Sequence, residues 1–297
     1  MKRLLSAYAS EIAQMTPAQL KQAILASEGR TVLGETVVTA APLVAGVSNA
    51  EMMAAFSCDL LVLNELDIFS PQIVGFYDCD NPIAELKRLT GRPIGINLEP
   101  VDEEQDLLEE RISLSAGRLV SPDSLIRAEE LGVDFIMLTG NPATGVSLSA
   151  IRSAISLAKE HFKGLVFAGK MHGAGLGESV VNEEVLLEFV ALGADGVLVP
   201  AVGTVPGVRE EIVAPIVSQV KARGALVIST IGTSQESADP QTVREFGLSN
   251  KRVGADIHHI GDGGFGRMPD PENILALSLA VRGKRHTYFK MGQSVRR

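Results

Sequence analysis

The chain has 297 residues, with 27 Lys and Arg against 36 Asp and Glu for a net charge of −9, 45% hydrophobic content, 4% aromatics and no Trp. That balance excludes a disordered chain, and a negative charge with few stacking platforms argues against nucleic acid as a partner. Two cysteines, Cys58 and Cys79, cannot build a disulfide framework, which points to a reducing cytoplasm.

The opening MKRLLSAYASEIAQM carries basic residues, but Glu11 interrupts its short apolar stretch, so it makes a poor signal peptide. No run reaches the roughly 18 apolar residues of a spanning helix, so no membrane contact is expected. Residues 16–28 read as an extra helix within an N-terminal helical segment, 1–30. Runs rich in Val, Ile and Leu then begin at 31 (TVLGETVV), 59 (DLLVLNEL), 93 (PIGINLE) and 134 (DFIMLTG). Four more begin at 164 (GLVFAGK), 195 (DGVLVP), 225 (ALVIST) and 255 (ADIHHIG). Such runs suit strands buried on both faces of a parallel sheet, with helices between them.

Eight units at this spacing predict an α/β fold, a single (β/α)8 TIM barrel over 1–297. Asp59, Asp134, Asp195 and Asp256 stand at or beside the starts of the even strands, as expected of paired βα units repeated around a barrel. Ser48 to Glu51 reads as a capping box. Asn81-Pro82, Ser121-Pro122, Asp239-Pro240 and Asp270-Pro271 each set a cap residue before a proline at the first helical position. The acidic segment 101–120 is long for a strand-to-helix loop and reads as a lid or a short extra helix. The last stretch, 284–297, is a basic tail, solvated or packed across the barrel or a partner subunit.

Catalytic residues of a barrel lie at the carboxyl ends of its strands. Collected there are Glu35, Asn64, Asp67, Asn97, Glu99, Thr139, Asn141, Lys170, His172, Ser229, Thr230, Thr233, His258, His259 and Asp262. Lys170 and His172, two apart on an extended strand, would point to the same side, and a lysine in a barrel mouth can serve as base or Schiff-base amine. Gly173, Gly175 and Gly177 would let the next loop approach a ligand. The loops after the last two strands, with Gly232, Thr233, Ser234, Gly261, Gly263 and Gly264, read as a phosphate seat built from backbone N–H groups, and Arg267 as a countercharge. Of the adjacent His258 and His259, one at most faces the barrel. No cofactor is demanded, although Asp67, Asp78, Asp80 and Glu99 could gather around Mg2+ with substrate oxygens.

Across almost its whole length the chain resembles an uncharacterised bacterial family of TIM barrels. The segments that carry the resemblance are SEGRTVLGE, AGVSNAE, GADGVLVPAVGTVPG, IGTSQE, GADIHHIGD and RGKRHTY. Members are loosely described as phosphoenolpyruvate-phosphonomutase-like or haloacid-dehalogenase-like hydrolases, which implies a barrel and a phosphorylated or carboxylate metabolite. INLEPVDEE and MLTGNPATG depart from the phosphonomutase loops, so that Mg2+ scheme does not carry over. The dehalogenase likeness rests on IVGFYDCDNP, LVIST, Lys251 and the GD of GADIHHIGDGGFG, and would make Asp78 the nucleophile and Asp80 the general acid. Pro82 and Gly266 depart from that pattern.

The expected function is aldol-type cleavage, isomerisation or epimerisation of a small phosphorylated sugar or keto acid, by a lyase or isomerase that could form homo-oligomers. Lys170 and His172 would do the acid–base or electrophilic work, with Glu35, Asn97 and His259 completing the site, while the sequence leaves open which of His258 and His259 faces inward. The alternatives are a phosphatase using Asp78 and a barrel that only binds a metabolite.

Overall fold

The eight apolar runs become the strands of the computed structural model, which describes residues 2–108, 110–173, 179–262 and 266–297. The N-terminal segment gives α1 (Ala9–Ile12) and α2 (Pro17–Leu25). The barrel begins with β1 (Thr31–Val37), α3 (Asn49–Ala55), β2 (Leu60–Asn64), α4 (Pro82–Thr90), β3 (Ile94–Leu98) and α5 (Pro122–Glu130). It continues through β4 (Phe135–Leu138), α6 (Leu148–His161), β5 (Leu165–Gly169), α7 (Glu183–Ala191) and β6 (Gly196–Pro200). The last elements are α8 (Glu210–Ala222), β7 (Leu226–Ile231), α9 (Pro240–Val253), β8 (Ile257–Ile260) and α10 (Pro271–Gly292). Every strand pairs in parallel with its neighbours in sequence, and β8 closes on β1 with Leu33 opposite His259. This is the (β/α)8 barrel that the spacing predicts. Among the described residues no helix is long and apolar enough to cross a membrane.

The helix starts follow the sequence. The Ser48 hydroxyl accepts from Glu51 N–H while the Glu51 carboxylate accepts from Ser48 N–H. Asn81, Ser121, Asp239 and Asp270 each cap the helix that follows, with Pro in its first turn. Among its described residues the acidic segment 101–120 holds a 3-10 turn, Ala116–Arg118, and isolated bridges of Val101 with Val146 and of Leu119 with Glu99, and no α-helix.

Period-two alternation sorts the strand side chains. Leu33, Leu60, Val62, Phe135, Met137, Phe167, Leu198, Ile228 and Ile257 fill the barrel, while Val32, Leu61, Ile96, Ile136, Val166, Val197 and Val227 pack in the layer under the helices. Gly95 faces the ring of Phe135, and a Cβ there would overlap it. The N-terminal segment stoppers the amino end: Leu4, Ala7, Ile12, Leu20 and Ile24 join the interior cluster.

The aspartates at the even-strand starts have one repeated job. Oδ2 of Asp59, Asp134, Asp195 and Asp256 accepts the N–H of Val32, Ile94, Val166 and Val227 at 2.9, 2.8, 3.1 and 3.0 Å, tying each even strand to the odd strand before it. Three also meet helix lysines: Lys87 on Asp134 and Lys221 on Asp256 at 2.8 Å, Lys159 on Asp195 at 3.3 Å. Asp59 instead pairs with Arg282, and lies 3.5 Å from Lys290 Nζ, deep beneath α10. The tail is therefore packed on the barrel as far as Gly292, through a helix that breaks at Gly283 (φ +70°) and buries Thr287 and Lys290.

Candidate active site

A cavity of about 380 Å³ opens at the carboxyl end of the barrel. Inward alternation on the first strands brings Glu35, Asn64, Asn97 and Thr139 to its wall, and the loops beyond them add Asn141, His172, Gly232, Thr233, Ser234, Glu236, Gly261 and Asp262. Its size suits a small metabolite. Glu65 (φ +62°) and Ser234 (φ +73°) hold left-handed conformations at the wall or beside it, a strain that non-glycine residues keep where the surroundings fix them.

A chain of hydrogen bonds runs along one side. Asn97 Nδ2 donates to Glu35 Oε1 at 2.5 Å and to Asn64 Oδ1 at 3.0 Å. Asn64 Nδ2 passes the chain on to Asp262 Oδ2 at 3.0 Å and Asn141 Oδ1 at 2.8 Å. Behind Glu35, His259 Nε2 lies 2.5 Å from Oε2, and its ring is fully buried. Both Asn97 contacts of Nδ2 are acceptors, which fixes the amide orientation and leaves Oδ1 buried without a partner. Thr139 Oγ1 is likewise buried and unpartnered. Burial, and next the charge of Glu35, hold the Asp262 carboxyl well above the usual carboxylate range, against the opposing Asn64 hydrogen bond.

Alternation settles the histidine pair. His259 faces the interior, while His258 turns outward to the Gly29 carbonyl at 3.0 Å, and burial pushes its imidazole down to about 4. Ser229 and Thr230 are buried within the strand wall, and Glu99 sits behind Asn141, held by Arg118 at 2.9 Å. β5 ends at Gly169 (φ +151°); beyond it Met171 and His172 line the cavity, and Lys170 between them and the strand is buried. Gly232, Thr233, Ser234 and Gly261 of the expected phosphate seat are at the wall. Gly263 and Gly264, like Gly175 and Gly177, lie outside the described residues. Arg267 is absent from the wall; its carbonyl accepts from Val37 N–H and the Thr36 hydroxyl.

Glu236 is the residue that sequence reasoning passed over. It sits in the 3-10 turn after β7, is 1% exposed, and its turn is held by Asn273 Nδ2 bonding the Glu236 and Ala238 carbonyls at 2.8 and 2.7 Å. The signal was available, since Glu236 lies in the same strand-end loop as Thr233 and Ser234.

The four acids considered for Mg2+ do not gather. Asp67 accepts the Phe69 and Ser70 N–H groups, Glu99 is bonded to Arg118 and Asn141, and Asp78 and Asp80 line a separate surface hollow with Phe69 and Tyr77. Among the described residues no three His, Cys, Asp or Glu side chains are placed to hold a metal. The dehalogenase reading falls with the same placement. The closed barrel is a different fold, Asp78 and Asp80 stand on an exposed loop between β2 and α4, and Lys251 donates to the Val281 carbonyl on the barrel's outside.

Solved structures similar to this chain share little sequence with it. Thiamine phosphate pyrophosphorylase from Pyrococcus furiosus has 13% identity over 86% of this chain and 96% of its own, with a TM-score of 0.47. Phosphoenolpyruvate phosphomutase from Streptomyces platensis subsp. rosaceus has 15% identity over 84% and 82%, at 0.48. The YdjI aldolase from Escherichia coli K12 has 11% identity over 92% and 95%, at 0.49. No curated protein matches the chain. Residues 5–297 match the family described as a domain of unknown function, DUF7916, and the chain belongs to that family.

Proposed function

We propose that the protein is a lyase or isomerase that moves a proton on a small hydroxylated carbonyl compound bound at the carboxyl end of the barrel. The observation that carries this reading is Glu35, which lines the cavity with one oxygen bonded to Asn97 and the other to His259. A carboxylate so oriented is suited to take a proton from a carbon next to a carbonyl, or from a hydroxyl in an aldol-type cleavage. The tautomer of His259 with its proton on Nε2 donates to Glu35 and fixes it. Asp262, whose carboxyl burial shifts toward the protonated form, is placed to donate to the carbonyl oxygen as negative charge builds there. His172 at the same wall is the second proton carrier.

The sequence expectation adds a phosphate on the substrate. Backbone N–H groups at Gly232, Thr233 and Ser234 would have to hold it, because no lysine or arginine lines the described wall.

Incubation of candidate hydroxy ketones, sugars and their phosphates in D2O, followed by NMR, tests the proton-transfer reading. Deuterium enters next to the carbonyl, or a cleavage product forms, with the wild type and not with a folded Glu35→Gln variant. Exchange that persists in Glu35→Gln, or none with any compound, overturns it.

A further inference from the structure

Two side-chain oxygens of residues on the cavity wall have no hydrogen bond to any described residue: Asn97 Oδ1 and Thr139 Oγ1, in residues 5% and 3% exposed. Asn97 lies in β3 opposite Met137 of β4, which points into the barrel, and Thr139 follows Met137 by two residues. Period-two alternation therefore turns both side chains inward.

The two oxygens need different things from a ligand. Asn97 Nδ2 is committed to Glu35 Oε1 and Asn64 Oδ1, so the amide is held in one orientation and its oxygen can only accept. The Thr139 hydroxyl has a proton to give as well as lone pairs. Buried polar atoms left without a partner are costly, and a ligand group that displaces water from them must reproduce the bonds that water makes. One ligand hydroxyl does so for both: its proton goes to Asn97 Oδ1, and one of its lone pairs takes the proton of Thr139 Oγ1. A carbonyl, ether or carboxylate oxygen has no proton for Asn97, and a methyl group serves neither oxygen.

Asn97 also sets where that hydroxyl sits. One arm of its amide holds the Glu35 carboxylate and the other is the free oxygen, so a hydroxyl bound there stands beside the carbon that faces Glu35. We infer that the substrate is an α-hydroxy carbonyl compound of the sugar type, not a keto acid without that hydroxyl, and that Asn97 and Thr139 together bind the hydroxyl next to the carbonyl. The inference rests on the proton-transfer reading for the position of the reacting carbon and narrows its substrate class.

Two matched sets change that one group: hydroxyacetone, methoxyacetone and butanone, and glucose, 2-fluoro-2-deoxyglucose and 2-deoxyglucose. They are titrated against the full-length protein and followed by NMR of the ligand. In one set or both, the hydroxyl compound binds about tenfold or more tightly than either analogue, because neither ether, fluorine nor hydrocarbon can donate to Asn97. Thr139→Val removes a hydroxyl that bonds no described residue, so it lowers this preference about fivefold and leaves the melting temperature near the wild-type value. Thr139→Ser keeps the preference. Hydroxyl compounds that bind no better than their analogues, or no binding of any of these compounds, overturn the inference. A preference that Thr139→Val leaves unchanged overturns the assigned placement. Glu35-dependent deuterium exchange into butanone, in a protein with no hydroxyl preference, sinks this inference alone and leaves the proton-transfer reading standing. A Thr139-dependent hydroxyl preference without Glu35-dependent exchange in any compound does the reverse.

Discussion

Oε2 of Glu35 on β1 lies 2.5 Å from Nε2 of His259 on β8, across the seam where the last strand meets the first. The contact exists only once the barrel is closed, since it joins residues at opposite ends of the chain. It gives an inward carboxylate a fully buried support, and Asn97 on β3 holds the other oxygen.

Glu35→Gln therefore tests chemistry and support separately. The amide nitrogen would meet either Asn97 Nδ2 or His259 Nε2, both donors, so one bond is lost. Turnover of whichever compound exchanges deuterium falls about 100-fold or more, the usual share of a positioned acid–base group. The melting temperature falls by several degrees, in line with about 1 kcal/mol for one buried hydrogen bond. Steady-state rates with a thermal melt on the same sample read both. His259→Gln, which can still donate to Glu35, lowers the rate more than it lowers the melting temperature.

Asp262 sets the alkaline side of the rate profile. Burial and the charge of Glu35 raise its carboxyl, so its protonated form is the donor and turnover declines as pH rises through the raised value. Because Glu35 and Asp262 act on each other, the breaks in the profile belong to the pair. Asp262→Asn keeps a neutral donor in place and flattens the alkaline limb. For stability the sign is the same: the native state holds a proton that the unfolded chain releases above pH 3.8, so this contribution is greatest in acid and is lost as pH rises through the native value. An alkaline limb unchanged in Asp262→Asn removes Asp262 from the reaction.

The barrel was legible because repetition adds information: eight apolar runs at regular spacing and four aspartates sorted by strand parity rarely arise together. Caps were legible because they are local, as Ser48 and Asp239 show. The site was legible only as a pool. Alternation brings Glu35, Asn64 and Asn97 to the cavity wall and carries Phe167 and Met171 inward on and just past β5, but His172, beyond Gly169 where the backbone leaves the extended region, reaches the wall out of step. Nothing in the sequence around His258 and His259 states which one faces inward, because that depends on register against β1 and β7. Glu236 was hidden by the habit of reading a glycine- and threonine-rich loop as an anion seat.

The four rim aspartates are alike in geometry and differ in surroundings, which predicts unequal costs. Asp256→Ala removes a bond to Val227 N–H and the partner of the part-exposed Lys221, at about 1–3 kcal/mol. Asp59→Ala leaves Arg282 as a fully buried cation without its counter-ion, at about 3–5 kcal/mol. Urea denaturation of the two variants measures the difference. Equal losses would mean that the strand tie, and not the buried charge, is what Asp59 supplies.

The last prediction concerns the same buried cluster and the pH dependence of stability. Burial, opposed by Asp59, pushes Lys290 from its ordinary 10.5 down to about 7. Between these values the unfolded chain carries the proton and the native chain does not, so stability rises with pH across that window and this contribution is lost as pH falls toward 7. His258 behaves the same way in acid: with its imidazole pushed from 6.5 to about 4, stability falls as pH drops through that range. Lys290→Met keeps a long apolar stem in place and removes the titration. The unfolding free energy of the variant, measured in urea from pH 6.5 to 10, should lack the wild-type rise, while the pH 4–6.5 limb set by His258 stays. His258→Gln, whose amide nitrogen reaches the place of Nε2, can still donate to the Gly29 carbonyl, and should remove the acid limb alone. Parallel curves for wild type and Lys290→Met would show that Lys290 keeps its proton inside the fold, with Asp59 as its permanent counter-ion.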